Sequence, residues 1–172
     1  MVIAPFPPPP DRMTKNSRCL SFRVGWLENY KKVTMSPSYN HSYLAYRVAK
    51  ALDQGEKYNI HIEVTLEFDG ANYVPDIALY GRHPIDFLHD EISSKAPPLL
   101  LVEILSPHQS VNEITDKFKV YFEAGVKSCW LVIPPTKTIV LFHDLQHPRS
   151  YSTGEFTDSN MGIEVSVDDI FG

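Results

Sequence analysis

The chain has 172 residues, 43% apolar and 22% charged, enough for one domain with a substantial core and too few for two ordinary ones. No apolar run approaches the roughly 18 residues of a membrane span, and the opening MVIAPFPPPPDR lacks the basic start and long apolar stretch of a secretory signal. The formal net charge of −5 counts against a surface that grips nucleic acid all over, since phosphate binding rests on Lys and Arg, but leaves room for a local basic cleft.

Cys19 and Cys129 lie far apart with no metal-ligand spacing and read as ordinary thiols of a reducing cytoplasm, the expected compartment. Residues 1–18 are proline-rich, which predicts an extended tail ahead of a single domain over 19–172. Residues 22–35 alternate loosely and predict a strand pair. From Asn40 the spacing becomes helical: Leu44, Val48, Ala51 and Leu52 share a face and Gly55 closes the helix. The run NIHIEVTLEF (59–68) predicts one strand, with Ile60, Ile62, Val64, Leu66 and Phe68 facing one way and His61, Glu63, Thr65 and Glu67 the other.

Asp69-Gly70 is a turn signal, and YVPDIALY (73–80) reads as the returning strand. A long polar loop over 81–97 follows. Residues 99–105 are almost continuously apolar, as in a strand covered on both faces, and Pro107 ends them. A helix is expected at about 111–124 with Gly125 as its stop. Strands at 129–133 and 138–142 are joined by the tight connection 134–137, and a polar tail carries a last short strand near 163–167. The expected architecture is therefore α/β, an α-β-β-β-α-β-β core after an N-terminal strand pair, with helices on both faces of one mixed sheet. Full βαβ alternation and a glycine-rich phosphate loop are both missing, which argues against a doubly wound nucleotide-binding fold.

Three polar residues stand where apolar ones belong. Glu103 lies inside LLLVEILSP, where a carboxylate costs several kcal/mol to desolvate unless a cation or several donors compensate. A buried ion pair or a strand end that reaches solvent is the plain alternative to a metal ligand. Asp76 follows Pro75 inside a strand pattern that disfavours both. Alone, an Asp bonded to a turn is the simpler reading; paired with Glu103 on the next strand, it forms a hard-oxygen site suited to Mg²⁺ or Mn²⁺. Lys117 stands three after Ile114 and four before Tyr121, on the core-facing stripe of its helix. It is either a rim lysine that snorkels or a cation aimed at the carboxylates.

An Asp, a carboxylate on the following strand and a nearby lysine resemble the PD-(D/E)XK nuclease pattern. Pro75-Asp76 supplies the PD and Glu103 the second acid, while the usual lysine position, two after the acid, is occupied by Leu105. The stretch PPLLLVEILSPHQSVNEITDKFKVYFEAGVKSCWLV resembles the Uma-two (Uma2) family of putative restriction endonucleases. There an EVLSP-like strand precedes a helix with a lysine four before a tyrosine, then AGV and an aromatic-rich strand. Lys117, Tyr121, Ala124-Gly125-Val126 and Trp130 match those places, and MSPSYNHSYL (35–44) resembles the family's entry to the first helix, with His41 in the histidine place.

The resemblance covers about 22–142 and implies a restriction-endonuclease-like fold. It also implies an enzyme that hydrolyses DNA phosphodiester bonds with Mg²⁺ or Mn²⁺. Asp76, Glu103 and the backbone carbonyl of Ile104 would be the metal ligands, and Lys117 would position the attacking water. His41 and Glu28 are lesser members of the catalytic set; for His41, helix capping or a surface position is an equal alternative. DNA is the expected partner, a homodimer the expected assembly, and no membrane association is expected. The rival from another class is a catalytically inactive module of the same fold that binds nucleic acid or a protein. A zinc hydrolase is disfavoured, because His61 alternates to the polar face and His83, His89, His108, His143 and His147 have no ligand spacing.

Overall fold

The computed structural model describes residues 37–55 and 57–172. Pro37–Gly172 forms one compact unit. The proline-rich tail, the expected strand pair at 22–35, Cys19 and Glu28 lie outside the described residues.

Ser38 opens the first helix, α1 (Tyr39–Leu52), its hydroxyl accepting from the amide of His41. His41, Leu44, Ala45, Val48 and Leu52 are its buried stripe, so the helical period that buries the leucines also turns His41 toward the sheet. The second helix, α2 (Val111–Glu123), begins with a capping box in which Ser110 and Glu113 each bond the other's amide. It buries Ile114, Phe118 and Tyr121, each worth about 1.5–3 kcal/mol of removed apolar surface. Gly125 follows with φ 102°, a backbone that favours glycine at a helix stop.

Ten strands follow in chain order: β1 (Tyr58–Ile62), β2 (Leu66–Phe68), β3 (Ala71–Tyr73), β4 (Ile77–Gly81), β5 (Leu100–Ile104), β6 (Ser128–Ile133), β7 (Thr138–Phe142), β8 (Arg149–Tyr151), β9 (Glu155–Asp158) and β10 (Ile163–Ser166). A short helix, α3 (Val167–Phe171), closes the chain. Six of the strands form one mixed sheet in the order β1-β4-β5-β6-β7-β8, antiparallel except for the β5–β6 pair. β5 is buried along its whole length, because both faces are covered as its unbroken apolar run predicts. On one face Val102, Ile104, Trp130 and Val132 pack with α1, β10 and α3; on the other Leu101, Cys129 and Leu131 pack with α2. The expected mixed sheet between helices is the observed one.

The predicted single strand at 59–68 is instead two. Glu63 takes a left-handed backbone, φ 54°, and ends β1. Its amide still donates to the Asp76 carbonyl, but the next residue across is Pro75, which has no N–H to extend the ladder. Beyond this break β2 and β3 form their own hairpin around Asp69 (φ 50°) and Gly70 (φ 75°). Residues expected on one face therefore go to two: Ile60 packs on the α1 side, while Leu66 and Phe68 join the α2 side. Ile62 is left 55% exposed.

The region after Tyr151 is richer than the one strand expected there. β9 and β10 form a hairpin, and α3 follows onto the α1 face. The hairpin is tied down by Asp158, fully buried, which accepts from Ser128 Oγ, Trp130 Nε1, His143 Nε2 and the Asn160 amide at 2.9–3.1 Å.

Candidate functional site

Strand register builds the site. Ile77 lies opposite Val102 in the β4–β5 pair, so one step on, Asp76 lies opposite Glu103. Ile62 lies opposite Ile77 in the β1–β4 pair, so Glu63 lies opposite Asp76. Residues directly opposite in an antiparallel pair have Cα atoms roughly 4.5–5.5 Å apart and side chains on the same face. Asp76 and Glu103 thus face each other across neighbouring strands, while Glu63, whose backbone is left-handed, meets Asp76 through its amide, which donates to the Asp76 carbonyl. Glu103 is on the α2 face, alternating with Val102 and Ile104, which pack on the other.

Each oxygen of the two inner carboxylates is engaged. Asp76 Oδ1 is 2.8 Å from His41 Nε2, and Asp76 Oδ2 accepts from the Ile104 amide at 2.5 Å. Glu103 Oε2 accepts from Lys117 Nζ and Oε1 from the Tyr121 hydroxyl, both at 2.8 Å. His41 Nδ1 lies 3.1 Å from Ser106 Oγ. The helices position these partners through their buried stripes: His41 leads that of α1, and Lys117 with Tyr121, one turn apart, project from α2.

Burial decides the electrostatics. The Glu103 side chain is 3% exposed and that of Lys117 29%, so the ammonium bridges a dry interior and the solvent. Desolvation pushes the Glu103 carboxyl above its usual range, the Lys117 charge and hydrogen bond pull it back, and the nearby Asp76 charge adds to the rise. The hydrogen bond to Asp76 raises His41 above an ordinary histidine against the opposing effect of burial, helped by the charges of Asp76, Glu63 and Glu103. Burial and the Glu103 charge hold the Tyr121 phenol protonated, so it acts as a donor.

Asp76, Glu103, Lys117 and His41, separate in the sequence, are thus brought together. Ile104 joins them through its amide, and Glu28 lies outside the described residues. Lys117 is a partly exposed lysine whose ammonium turns in to bond Glu103 Oε2. Ser106, Tyr121 and Glu63 are neighbours that the sequence reading did not assign to the site. For Tyr121 a signal existed, a phenol on a core stripe one turn from Lys117; for Glu63 only the register reveals it. Among the described residues no group of three or more His, Cys, Asp or Glu side chains is placed to hold a metal ion.

Ser106, His41 and Asp76 have the connectivity of a nucleophilic triad. The Ser106 amide, however, donates to Gln109 Oε1 and the next residue is Pro107, which has no amide. Neither of these two backbone positions, the nearest to the hydroxyl, therefore offers a free amide to serve as an oxyanion donor.

Residues 25–169 match the family Uma2, described as "putative restriction endonuclease". The chain belongs to the Uma2 family. A solved structure from Anabaena variabilis ATCC 29413, described as a putative nuclease belonging to DUF820, is similar in fold to this Uma2 protein. The two share 20% identity, with 78% of this chain and 82% of that one covered, at a TM-score of 0.67. No curated protein matches the chain. No helix among the described residues is long and apolar enough to cross a membrane.

Proposed function

We propose that this protein is an endonuclease that hydrolyses DNA phosphodiester bonds with Mg²⁺ or Mn²⁺ at a PD-(D/E)XK-type site whose lysine has moved onto a helix. The observation that carries the proposal is the facing pair Asp76 and Glu103 with the Lys117 ammonium 2.8 Å from the second, in a chain of the Uma2 family. Two carboxylates make a hard-oxygen donor set that suits Mg²⁺ and Mn²⁺ rather than zinc. The Ile104 carbonyl leaves β5 from the same edge as its amide, the edge that meets Asp76, and would be the third donor. Asp76 and Glu103 would hold such a dication, which would supply positive charge for the scissile phosphate and acidify water.

Lys117 is the residue suited to act on both sides of the reaction. Its 29% exposure lets the ammonium reach a phosphodiester in solvent, and its flexible stem lets it leave Glu103 to orient water or stabilise developing charge. His41 holds Asp76 by one oxygen while Ile104 holds the other, which keeps that carboxylate from turning. Cutting both strands of a duplex calls for two such sites, and a homodimer is part of the reading.

The test is plasmid cleavage by purified protein with Mg²⁺ or Mn²⁺, lost on chelation and in Lys117→Ala and Glu103→Ala. Equal cutting by the variants would assign the activity elsewhere. A second reading, a module of the same fold that binds DNA or a protein without cleaving, draws on the hydrogen bonds that already occupy both carboxylates. Retarded DNA migration with no cleavage in either metal would favour it.

A further inference from the structure

We infer that Tyr121 is a positioning residue for Glu103: it commits one carboxylate oxygen, Oε1, to the interior and leaves Oε2 as the oxygen Glu103 offers a ligand. This rests on the reading of Asp76 and Glu103 as metal ligands. Tyr121 is fully buried in the α2 stripe, where phenylalanine would fill the same space without the cost of desolvating a hydroxyl. The bond to Glu103 Oε1 at 2.8 Å, made wholly inside the protein, compensates that cost. The ring is fixed by edge contacts to Phe68 and Tyr73, at centroid distances of 6.3 and 5.7 Å, and by Phe118 at 6.2 Å. Packing therefore sets the direction of the hydroxyl, and Glu103 turns to meet it.

The two donors to Glu103 differ in kind. Lys117 is partly exposed and tethered by a flexible stem; Tyr121 has no exposure and is packed among Phe68, Tyr73 and Phe118. When Lys117 leaves Oε2 for substrate or water, Tyr121 still holds Oε1, so the carboxylate does not rotate and its free oxygen stays opposite Asp76. Partners that orient a ligand in this way commonly alter metal affinity or activity about 10- to 100-fold when removed.

The experiment compares wild type, Tyr121→Phe and Glu103→Gln by Mn²⁺ binding, read from the electron paramagnetic resonance of free Mn²⁺, alongside thermal unfolding and plasmid cleavage. Wild type is expected to bind Mn²⁺, Glu103→Gln to lose it, and Tyr121→Phe to bind about 10-fold or more weakly while remaining folded. Unchanged Mn²⁺ affinity in Tyr121→Phe, with loss in Glu103→Gln, overturns the inference and leaves the metal site standing. No Mn²⁺ binding by wild type overturns both. Should Tyr121→Phe fail to fold, wild type carrying ¹³Cζ-tyrosine at position 121 alone gives the answer by NMR. A slowly exchanging hydroxyl that survives Mg²⁺ saturation is expected, and its loss on adding Mg²⁺ overturns the inference.

Discussion

Replacing Asp158 with alanine tests whether a buried acid in this fold is structural. The residue is fully buried at the end of β9 and accepts four hydrogen bonds. They come from Ser128 and Trp130 of β6, both with no exposure, from His143 just after β7, and from the amide of Asn160. Asp158→Ala strands these donors. The Ser128 hydroxyl can rotate, and the imidazole of His143, 24% exposed, can turn to water. The Trp130 indole and the Asn160 amide have less freedom, and each buried donor left without a partner costs about 1–3 kcal/mol. Removing the desolvation penalty of the carboxylate itself offsets part of the loss, so the net cost is about 3 kcal/mol. Thermal unfolding followed by circular dichroism should show this as a fall of roughly 10 °C. Asp158 lies on the Trp130 side of the sheet, opposite the face that carries Glu103, so the folded variant should retain whatever DNA cleavage wild type shows. A variant within about 1 kcal/mol of wild type would refute the reasoning, since that is less than one stranded buried donor.

Two further predictions concern the candidate site in metal-free protein. The folded pKa of His41 is raised, chiefly by its bond to Asp76, so the pair's stabilisation is fully present below the unfolded histidine value of about 6.5 and lost as pH rises through the folded value. Urea unfolding of wild type and His41→Gln should therefore differ more at about pH 5.5–6.5 than at alkaline pH; a difference independent of pH would contradict the assignment. Lys117→Met removes the cation beside Glu103, and should destabilise the fold by about 1–3 kcal/mol at pH 8, below the 3–5 typical of a fully buried pair because Lys117 is partly exposed. Glu103 titrates higher in the folded state, so this loss should shrink as the pH falls and the glutamate takes up a proton. Lys117→Met in a Glu103→Gln background should cost little at either pH, and an equal cost in both backgrounds would show that the lysine acts by packing alone.

Patterning carried much of the fold. The helical spacing of Leu44, Val48 and Leu52, the unbroken apolar run that became β5, and the stripe Ile114–Phe118–Tyr121 are each buried in the fold as their pattern predicts, so local periodicity and global structure agree. Glu103 and Lys117 were visible for the same reason: a charge inside such a pattern carries a desolvation cost that something must offset. Asp158 broke no pattern, because it sits in a polar stretch, and its burial arises only when β9 folds back over Ser128 and Trp130. The run 59–68 misled because alternation alone does not specify which sheet a residue joins; Pro75 on a different segment ends the pairing, and Glu63 turns there. What the sequence by itself determined is the set of elements and the two conspicuous charges, since propensity, period and burial cost are local. Which oxygen faces which donor was decided by the register of β4 on β5 and the docking of α1 and α2, since those contacts join residues far apart in the chain and exist only once the sheet has closed.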